Sequence, residues 1–450
     1  MHDYKKSFCG CLLLLGLLLF TNPSTAQTQP APSATTPPQS AQTQPEHAES
    51  IIDQIKKCVV FLQGYYQRDE AVNNNGKTSS QPVSMQLSGT GFLIFVPDPR
   101  LGKDEKGNDI GSYYLVTNRH MIREPGIENG KLGEGPYFKN IVIRFNLNNA
   151  SSDGSRLANI VSPVVDGTGS LYWFTDTKDD QVDLAIIPIS LNPDTVDFKA
   201  LAPSQFATKD VISREHIDEN DEVLFAGLFA GSPGSKQNYP IVRHGRIARL
   251  DSERIPLDGR HPEITVDAHL ADVMSWGGNS GSPVLVRMTP LRESAPLSYG
   301  TRYFLLGVMQ GYFSQGTEFA IDVGQIKGEA QQNTGIAFII PADKINEVLD
   351  TPRARANREM ILANRKLQQG DREDAEQYYR SALNILTQTA PSHSDTANTM
   401  NLLANLLETN GKSGEAMLYR KQAQRILNAK HQDRMHPLGI DDNEPSPLKN

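Results

Sequence analysis

The chain has 450 residues, a formal net charge of −8, and 38% hydrophobic and 21% charged residues. Its length exceeds one ordinary domain of about 100–200 residues and implies two or three units. The composition is that of a globular protein and excludes a fibrous or wholly disordered one. The mild acidity carries no general signal for nucleic acid or a membrane surface.

Lys5 and Lys6 precede an apolar run from Leu12 to Phe20, broken only by Gly16. Ser24-Thr25-Ala26 then supplies small residues before Gln27. This is the layout of a secretory signal peptide over residues 1–26. The apolar run is about half of the roughly 20 residues a membrane span needs, so cleavage is expected rather than anchoring. The expectations that follow are export to the periplasm or the exterior of a bacterial cell, and no stable membrane span afterwards. Cys9 and Cys11 precede the apolar core, where no lipidated cysteine would stand. Cleavage leaves Cys58 alone, and one cysteine closes no internal bridge. Cys58 opens the run Cys58-Val59-Val60-Phe61-Leu62, which is expected to be a buried strand with the thiol as packing.

Residues 27–48 are rich in Gln, Pro, Ala, Ser and Thr, and Gln27-Thr28-Gln29-Pro30 recurs as Gln42-Thr43-Gln44-Pro45. Such a stretch buries too little apolar surface to offset chain entropy, so a flexible tether is expected. Residues 49–350 then carry short apolar runs separated by Gly, Pro, Asn and Asp clusters. They include Gly91–Val96, Tyr113–Thr117, Ile141–Phe145, Leu184–Ile189, Val223–Ala226, Ser282–Val286, Tyr303–Val308 and Gly335–Ile340. Many short strands of this kind predict an all-β sandwich or barrel, and the pattern alone does not choose between them. Pro97 to Gly111 is expected to be a polar hairpin insertion.

The character changes near Pro352. Ala354 to Ala429 is rich in Ala, Leu, Arg, Glu and Gln, which predicts helices. Ala363, Gly370, Ala375, Tyr378, Ala382, Ile385 and Leu386 recur as Ala404, Gly411, Ala416, Tyr419, Ala423, Ile426 and Leu427. Small residues at fixed places let paired helices approach closely, and Gly marks the turn between them. The segment 351–430 resembles tetratricopeptide repeats of the longer variety. Two repeats are fewer than a free-standing array needs, so packing on the β region is expected. These residues hold 12 Lys or Arg against 8 Asp or Glu, a bias expected of a solvated helical face. Residues 431–450 are expected to be a loose tail.

Three segments carry chemistry. A buried strand ends in Thr117-Asn118-Arg119-His120, an acid leads the strand Asp183-Leu184-Ala185-Ile186-Ile187, and glycines surround a serine in Gly277-Gly278-Asn279-Ser280-Gly281-Ser282. A serine hydroxyl needs a base within hydrogen-bond reach. Neutral histidine suits that task near pH 7, and a carboxylate fixes its tautomer and stabilises the imidazolium. Glycines before the serine leave backbone N–H groups free for a developing oxyanion, and those of Gly278 and Ser280 form the natural pair. His120, Asp183 and Ser280 follow the chain order of the chymotrypsin class. Their separations, 120 to 183 and 183 to 280, put His and Asp in a first barrel and Ser in a second.

Residues of about 50–350 resemble the trypsin-like peptidases, especially the bacterial HtrA-like branch. The resemblance rests on Ser88-Gly89-Thr90-Gly91-Phe92, Thr117-Asn118-Arg119-His120, Asp183-Leu184-Ala185, Gly278-Asn279-Ser280-Gly281 and Gly335-Ile336-Ala337-Phe338-Ile339-Ile340-Pro341. It implies a mainly β double-barrel (trypsin-like) protease domain followed by a small α-helical, tetratricopeptide-like domain. Ser282 departs from the family, standing where a second Gly is common, and helical repeats take the place of a PDZ-like segment.

By the same resemblance, pocket walls come from Asp272–Trp276 and Leu306–Tyr312, with Met274, Gly307, Gln310 and Gly311 as candidate lining residues. Met274 stands where trypsins carry the acid that binds basic side chains, so a small or apolar side chain is expected in the pocket. No metal or cofactor is expected, since His244, His261 and His269 lack zinc-site spacing.

The function expected is an exported serine endopeptidase acting on polypeptide substrates, with residues 351–430 recruiting substrate or a protein partner. A catalytically weak scaffold that binds proteins through its helices is the competing reading, and an esterase is a third. Mass spectrometry of the exported protein should find Gln27 as the mature N-terminus; an intact Met1 in the exported form would refute cleavage.

Overall fold

The fold begins with a capped helix. Helix α1 (Ile51–Cys58) is capped by Ser50, whose Oγ accepts the Asp53 N–H at 3.1 Å, and Lys56 and Lys57 lie in its last turn. Both features suit the helix dipole. The computed structural model describes residues 49–435 apart from 75–76, 126, 129–130, 133–134, 168, 251–252, 257–264, 291–300 and 322–325. The expected signal peptide, the expected tether and residues 436–450 of the expected tail lie outside the described residues. Cys58 is the last residue of α1, not the first of a strand, and its Sγ–H donates to the Gln54 carbonyl one turn back at 3.4 Å. Burial pushes its thiol pKa up to about 12, as expected of a packing thiol.

Strands β1 (Val59–Asn74), β2 (Lys77–Pro97) and β3 (Gly111–Thr117) follow, then a two-residue ladder of β4 (Ile127–Glu128) and β5 (Lys131–Leu132). Next come β6 (Asn140–Asn146), β7 (Leu157–Pro163) and β8 (Ala185–Ile189). Helix α2 (Lys209–Glu215), capped by Thr208, precedes β9 (Glu222–Gly227) and β10 (Ile241–Arg249). A second short ladder pairs β11 (Ile255–Pro256) with β12 (Thr265–Val266), and β13 (His269–Asp272), β14 (Pro283–Met288), β15 (Arg302–Ile321) and β16 (Ile326–Pro341) complete the β region.

Among the described residues the strands form two antiparallel units. The first is a sheet ordered β7-β6-β1-β2-β3-β8, whose two edge strands are not joined by hydrogen bonds. The second closes fully in the order β10-β13-β16-β15-β14-β9. The expected insertion at 97–111 is a 3-10 turn at Pro99–Leu101 and an Asp104–Asn108 turn, closed by a Lys103–Asp109 bridge.

Period-two alternation distributes side chains between cores. On β1, Val60 and Leu62 fill the hollow of the first sheet, while Val59 and Phe61 join a cluster between the two units. The same split sends Leu93, Leu115 and Ile187 inward and Phe92, Ile94, Tyr114, Val116 and Ile186 to the shared cluster. From the other side, Leu224, Ala226 and Leu285 enter the shared cluster, and Val223, Phe225, Val284 and Val286 fill the closed barrel. Both faces of these strands are dry, which is why they read as continuous apolar runs.

Helix α3 (Ala342–Leu349) packs Ala342, Ile345, Val348 and Leu349 into the shared cluster. Helices α4 (Pro352–Gln368), α5 (Arg372–Thr389), α6 (Ser394–Thr409) and α7 (Ser413–Met435) form two antiparallel pairs. The last helix runs five residues past the expected repeat boundary at 430. Gly370 (φ +83°) and Gly411 (φ +77°) make equivalent left-handed turns within the pairs, a conformation that favours glycine. The recurring alanines, including Ala363, Ala375, Ala404, Ala416 and Ala423, are all buried where helices touch.

The helices are tied to the β region. Arg100 of the 97–111 insertion pairs with Glu359 of α4 at 2.7 Å and lies over the Tyr378 ring of α5. No described helix is long and apolar enough to cross a membrane. Ala375→Leu should overpack the helix contact and destabilise the protein by about 1–3 kcal/mol, read as a lower urea midpoint; an unchanged midpoint would contradict the close approach.

Candidate active site

Strand β3 ends at Thr117, and a 3-10 turn over Arg119–Ile122 presents His120. Two backbone-directed bonds hold that turn to the segment entering β8. Asn118 Nδ2 donates to the Asp183 carbonyl at 3.0 Å, and the Arg119 N–H donates to the same oxygen at 3.3 Å. The Asp183 side chain then meets the turn twice. Its Oδ1 accepts the His120 backbone N–H at 2.9 Å, and its Oδ2 lies 2.5 Å from His120 Nδ1. The carboxylate therefore selects the tautomer that leaves His120 Nε2 as a free lone pair. Burial works against the imidazolium, but the charge and hydrogen bond of Asp183 outweigh it, so the His120 pKa lies above its ordinary value.

The serine turn belongs to the second unit. Asn279 N–H donates to the Trp276 carbonyl at 3.0 Å, closing a four-residue turn whose third residue, Gly278, has φ +97°. This is the position at which a type II turn requires glycine. Asn279 itself is buried, with Oδ1 accepting from Trp276 N–H at 2.9 Å and Nδ2 donating to the Leu228 carbonyl at 2.8 Å. Gly281 follows at φ +85°, and a Cβ there would lie 2.0 Å from the Thr90 carbonyl oxygen. Ser282 is accommodated against Gly227, where a Cβ would overlap its Oγ at 2.1 Å. Among the described residues, the N–H groups of Gly278 and Ser280 donate to no acceptor.

Thr90 on β2 joins the two halves. Its Oγ1 donates to the Gly278 carbonyl at 2.7 Å and accepts the Leu228 N–H at 2.9 Å. Its N–H donates to the Ser280 carbonyl at 3.0 Å, and its carbonyl accepts Thr117 Oγ1 at 2.8 Å. One buried residue thus contacts the serine turn and the strand that delivers His120.

The Ser280 hydroxyl donates to the Gln310 carbonyl at 3.1 Å and makes no hydrogen bond to His120. Asp183 and Gln310 both border one narrow crevice, so the acid and the hydroxyl's acceptor lie near each other. The structure thus joins His120 to Asp183 directly, while the Ser280 hydroxyl is bonded to Gln310.

The expected pocket walls flank the segment Asn333–Ala337. On one side Asp272 pairs with Ile336 and Asn333 Nδ2 reaches the Ser275 carbonyl at 2.6 Å; on the other Tyr312 pairs with Ala337. Met274, Trp276 and Tyr312 are exposed, and a Cβ at Gly311 would meet nothing. Gly307 differs, because a Cβ there would lie 1.9 Å from the Ile340 carbonyl oxygen. It is a close-packed ladder glycine that admits no side chain on that face. Among the described residues, no group of three His, Cys, Asp or Glu side chains is placed to hold a metal ion.

Sequence reasoning passed over the roles of Thr90, Asn118, Asn279 and the Gln310 carbonyl. The first three lie inside the motifs quoted above, so the signal was present, but their contacts are long-range.

The fold is a mainly β double unit with a helical repeat segment, and the site is a hydrogen-bonded His-Asp pair beside a glycine-flanked serine. Residues 354–429 match the tetratricopeptide repeat family. No curated protein matches the chain. Among solved structures, the chain is similar to a thermostable serine protease, AL20, from an extremophilic microorganism. The identity is 11%, over 65% of this chain and 95% of that one, with a TM-score of 0.31.

The His120–Asp183 pair has a measurable consequence. A His pKa raised in the folded state adds stability that is fully present below its unfolded value, near 6.5. That stability fades as pH rises through the folded value. NMR titration should therefore place His120 above the ordinary histidine range, and Asp183→Asn should bring it down. An unshifted His120 in the intact protein would show that the pair does not persist in solution.

Proposed function

We propose that this chain is an exported serine endopeptidase that cleaves polypeptides through an acyl-enzyme, with Ser280 as nucleophile, His120 as general base and Asp183 as its orienting carboxylate. The observation that carries the proposal is the His120–Asp183 hydrogen bond at 2.5 Å on one β unit beside the Ser280 turn of the other. Proton transfer requires the Ser280 hydroxyl to leave Gln310 and reach the Nε2 lone pair of His120. The Gly278 and Ser280 N–H groups would then receive the oxyanion. His120 would return the proton to the leaving amine, and water would release the acyl group by the same route.

Five sequence motifs in order support the trypsin-like assignment and its HtrA-like branch. The apolar, exposed Met274 supports a preference for small or apolar side chains over basic ones. Export rests on the sequence of residues 1–26. The repeat match supports a protein-recruiting role for residues 351–430, whether for substrate or for a partner.

One observation favours the second reading, a catalytically weak scaffold that binds proteins through its helices. That observation is the Ser280 hydroxyl bonded to Gln310 in place of His120. A fluorophosphonate probe separates the two. Covalent labelling of the mature protein that is lost in Ser280→Ala is the expected result, together with a fall in peptide hydrolysis of roughly a thousandfold or more. Absence of labelling in both proteins would leave the scaffold reading.

A further inference from the structure

The segment that carries Asp183 is a closed excursion. Phe174 and Ile186 pair at its base through two backbone hydrogen bonds of 2.8 and 2.9 Å. Between them the chain leaves the first sheet, turns twice and returns at Asp183. Four cations contact this excursion or its base, and one of them, Arg353, comes from the helical repeats.

Arg353, in the first turn of α4, grips the base. Its Nη2 donates to the Leu171 carbonyl at 2.6 Å, its Nη1 to the Trp173 carbonyl at 3.3 Å, and its guanidinium lies over the Phe174 ring. The same side chain binds Asp395 of α6 through Nε at 3.0 Å and Nη2 at 2.8 Å. Asp395 also faces His393 at 3.3 Å. Burial opposes its charge, but His393 and Arg353 hold its carboxyl below the usual range, so it stays ionised. One mostly buried arginine therefore joins the first repeat, the second repeat and the β region. A planar fork serving two carbonyls and a carboxylate is a task that lysine does not match.

Lys344 of α3 grips the first arm. It lies 3.8 Å from the buried Asp176, with Asp267 and Glu347 as its other partners at 3.3 and 3.0 Å. Asp176 in turn accepts the Lys178 and Asp179 N–H groups through Oδ1. Arg254 of the second unit grips the tip through Asp179 at 2.5 Å and also reaches Asp267 at 3.7 Å. The Asp179 carbonyl then accepts the Val182 N–H, one residue before Asp183. Arg119, beside His120, donates to the Asp180 carbonyl.

On the proposed reading of Ser280 as nucleophile, we infer that Arg353 is a positioning residue for the hydrolytic site, through which the helical repeats hold the Asp183 excursion in register with His120. The repeat segment is then part of the catalytic unit and not only a recruiting appendage. A ligand that shifted α4 against α6 would act on the Asp183 excursion through this one side chain.

The test uses the full mature chain with Arg353→Lys, which keeps a charge for Asp395 but not the fork. Asp395→Asn makes the same test from the second repeat, by removing the carboxylate that holds the Arg353 fork, should the first variant not fold. Expected are an unchanged far-UV spectrum, a fall of about 10- to 100-fold in both kcat and the rate of fluorophosphonate labelling, and a KM for short peptides within about twofold. The rising limb of the pH–rate profile should move to lower pH, because a loosened Asp183 supports the imidazolium less. A role confined to stability would lower the amount of active protein but leave that limb in place, and that result overturns the inference. Wild-type rates and limb in a folded variant overturn it too, with the proposed function intact. Failure of the wild-type chain to be labelled at Ser280 removes the proposed function and the inference together.

Discussion

The buried side chain of Thr90 is the constraint on which the arrangement turns. The first sheet and the closed barrel share an apolar cluster, but apolar contacts are non-directional and tolerate sliding. A reacting group needs tighter placement than that. Thr90 supplies direction, since its hydroxyl, N–H and carbonyl make four hydrogen bonds, to Gly278, Leu228, Ser280 and Thr117. Thr90 itself is fully buried, where an unmade hydrogen bond is costly. A slip between the two units would therefore break several bonds at once.

The same economy recurs around the site. Asn118 and Asn279 are buried amides that hold backbone carbonyls of distant segments, one at Asp183 and one at Leu228. The glycines are required by space as much as by conformation, because Gly281 passes within a Cβ's reach of the Thr90 carbonyl. The helical segment adds a further layer through Arg353, which with Lys344 of α3 extends the hydrogen-bonded frame outward from the Asp183 excursion. The resulting order runs from repeats to excursion, from excursion to His120, and from Thr90 to the serine turn.

Much of the fold was legible along the chain. Period-two alternation places Val60 and Leu62 in one core and Val59 and Phe61 in another, and the strand runs were visible for that reason. The offset of 41 residues between repeats was legible because identical helix pairs need alanine and glycine at identical points. Cys58 was misplaced by one element, since its run continues the apolar strand while its backbone closes a helical turn.

The sequence alone determined the β and helical segments, the internal repeat, and the residue types able to support nucleophilic chemistry, since each of these depends on local periodicity or local composition. Only the tertiary structure decided that Asp183 meets His120 twice, that Ser280 turns to Gln310, and that Arg353 reaches the excursion carrying Asp183. Those contacts join residues tens to hundreds of positions apart. Their geometry depends on how two sheets and four helices pack, and no local pattern encodes the direction in which a single hydroxyl or guanidinium points.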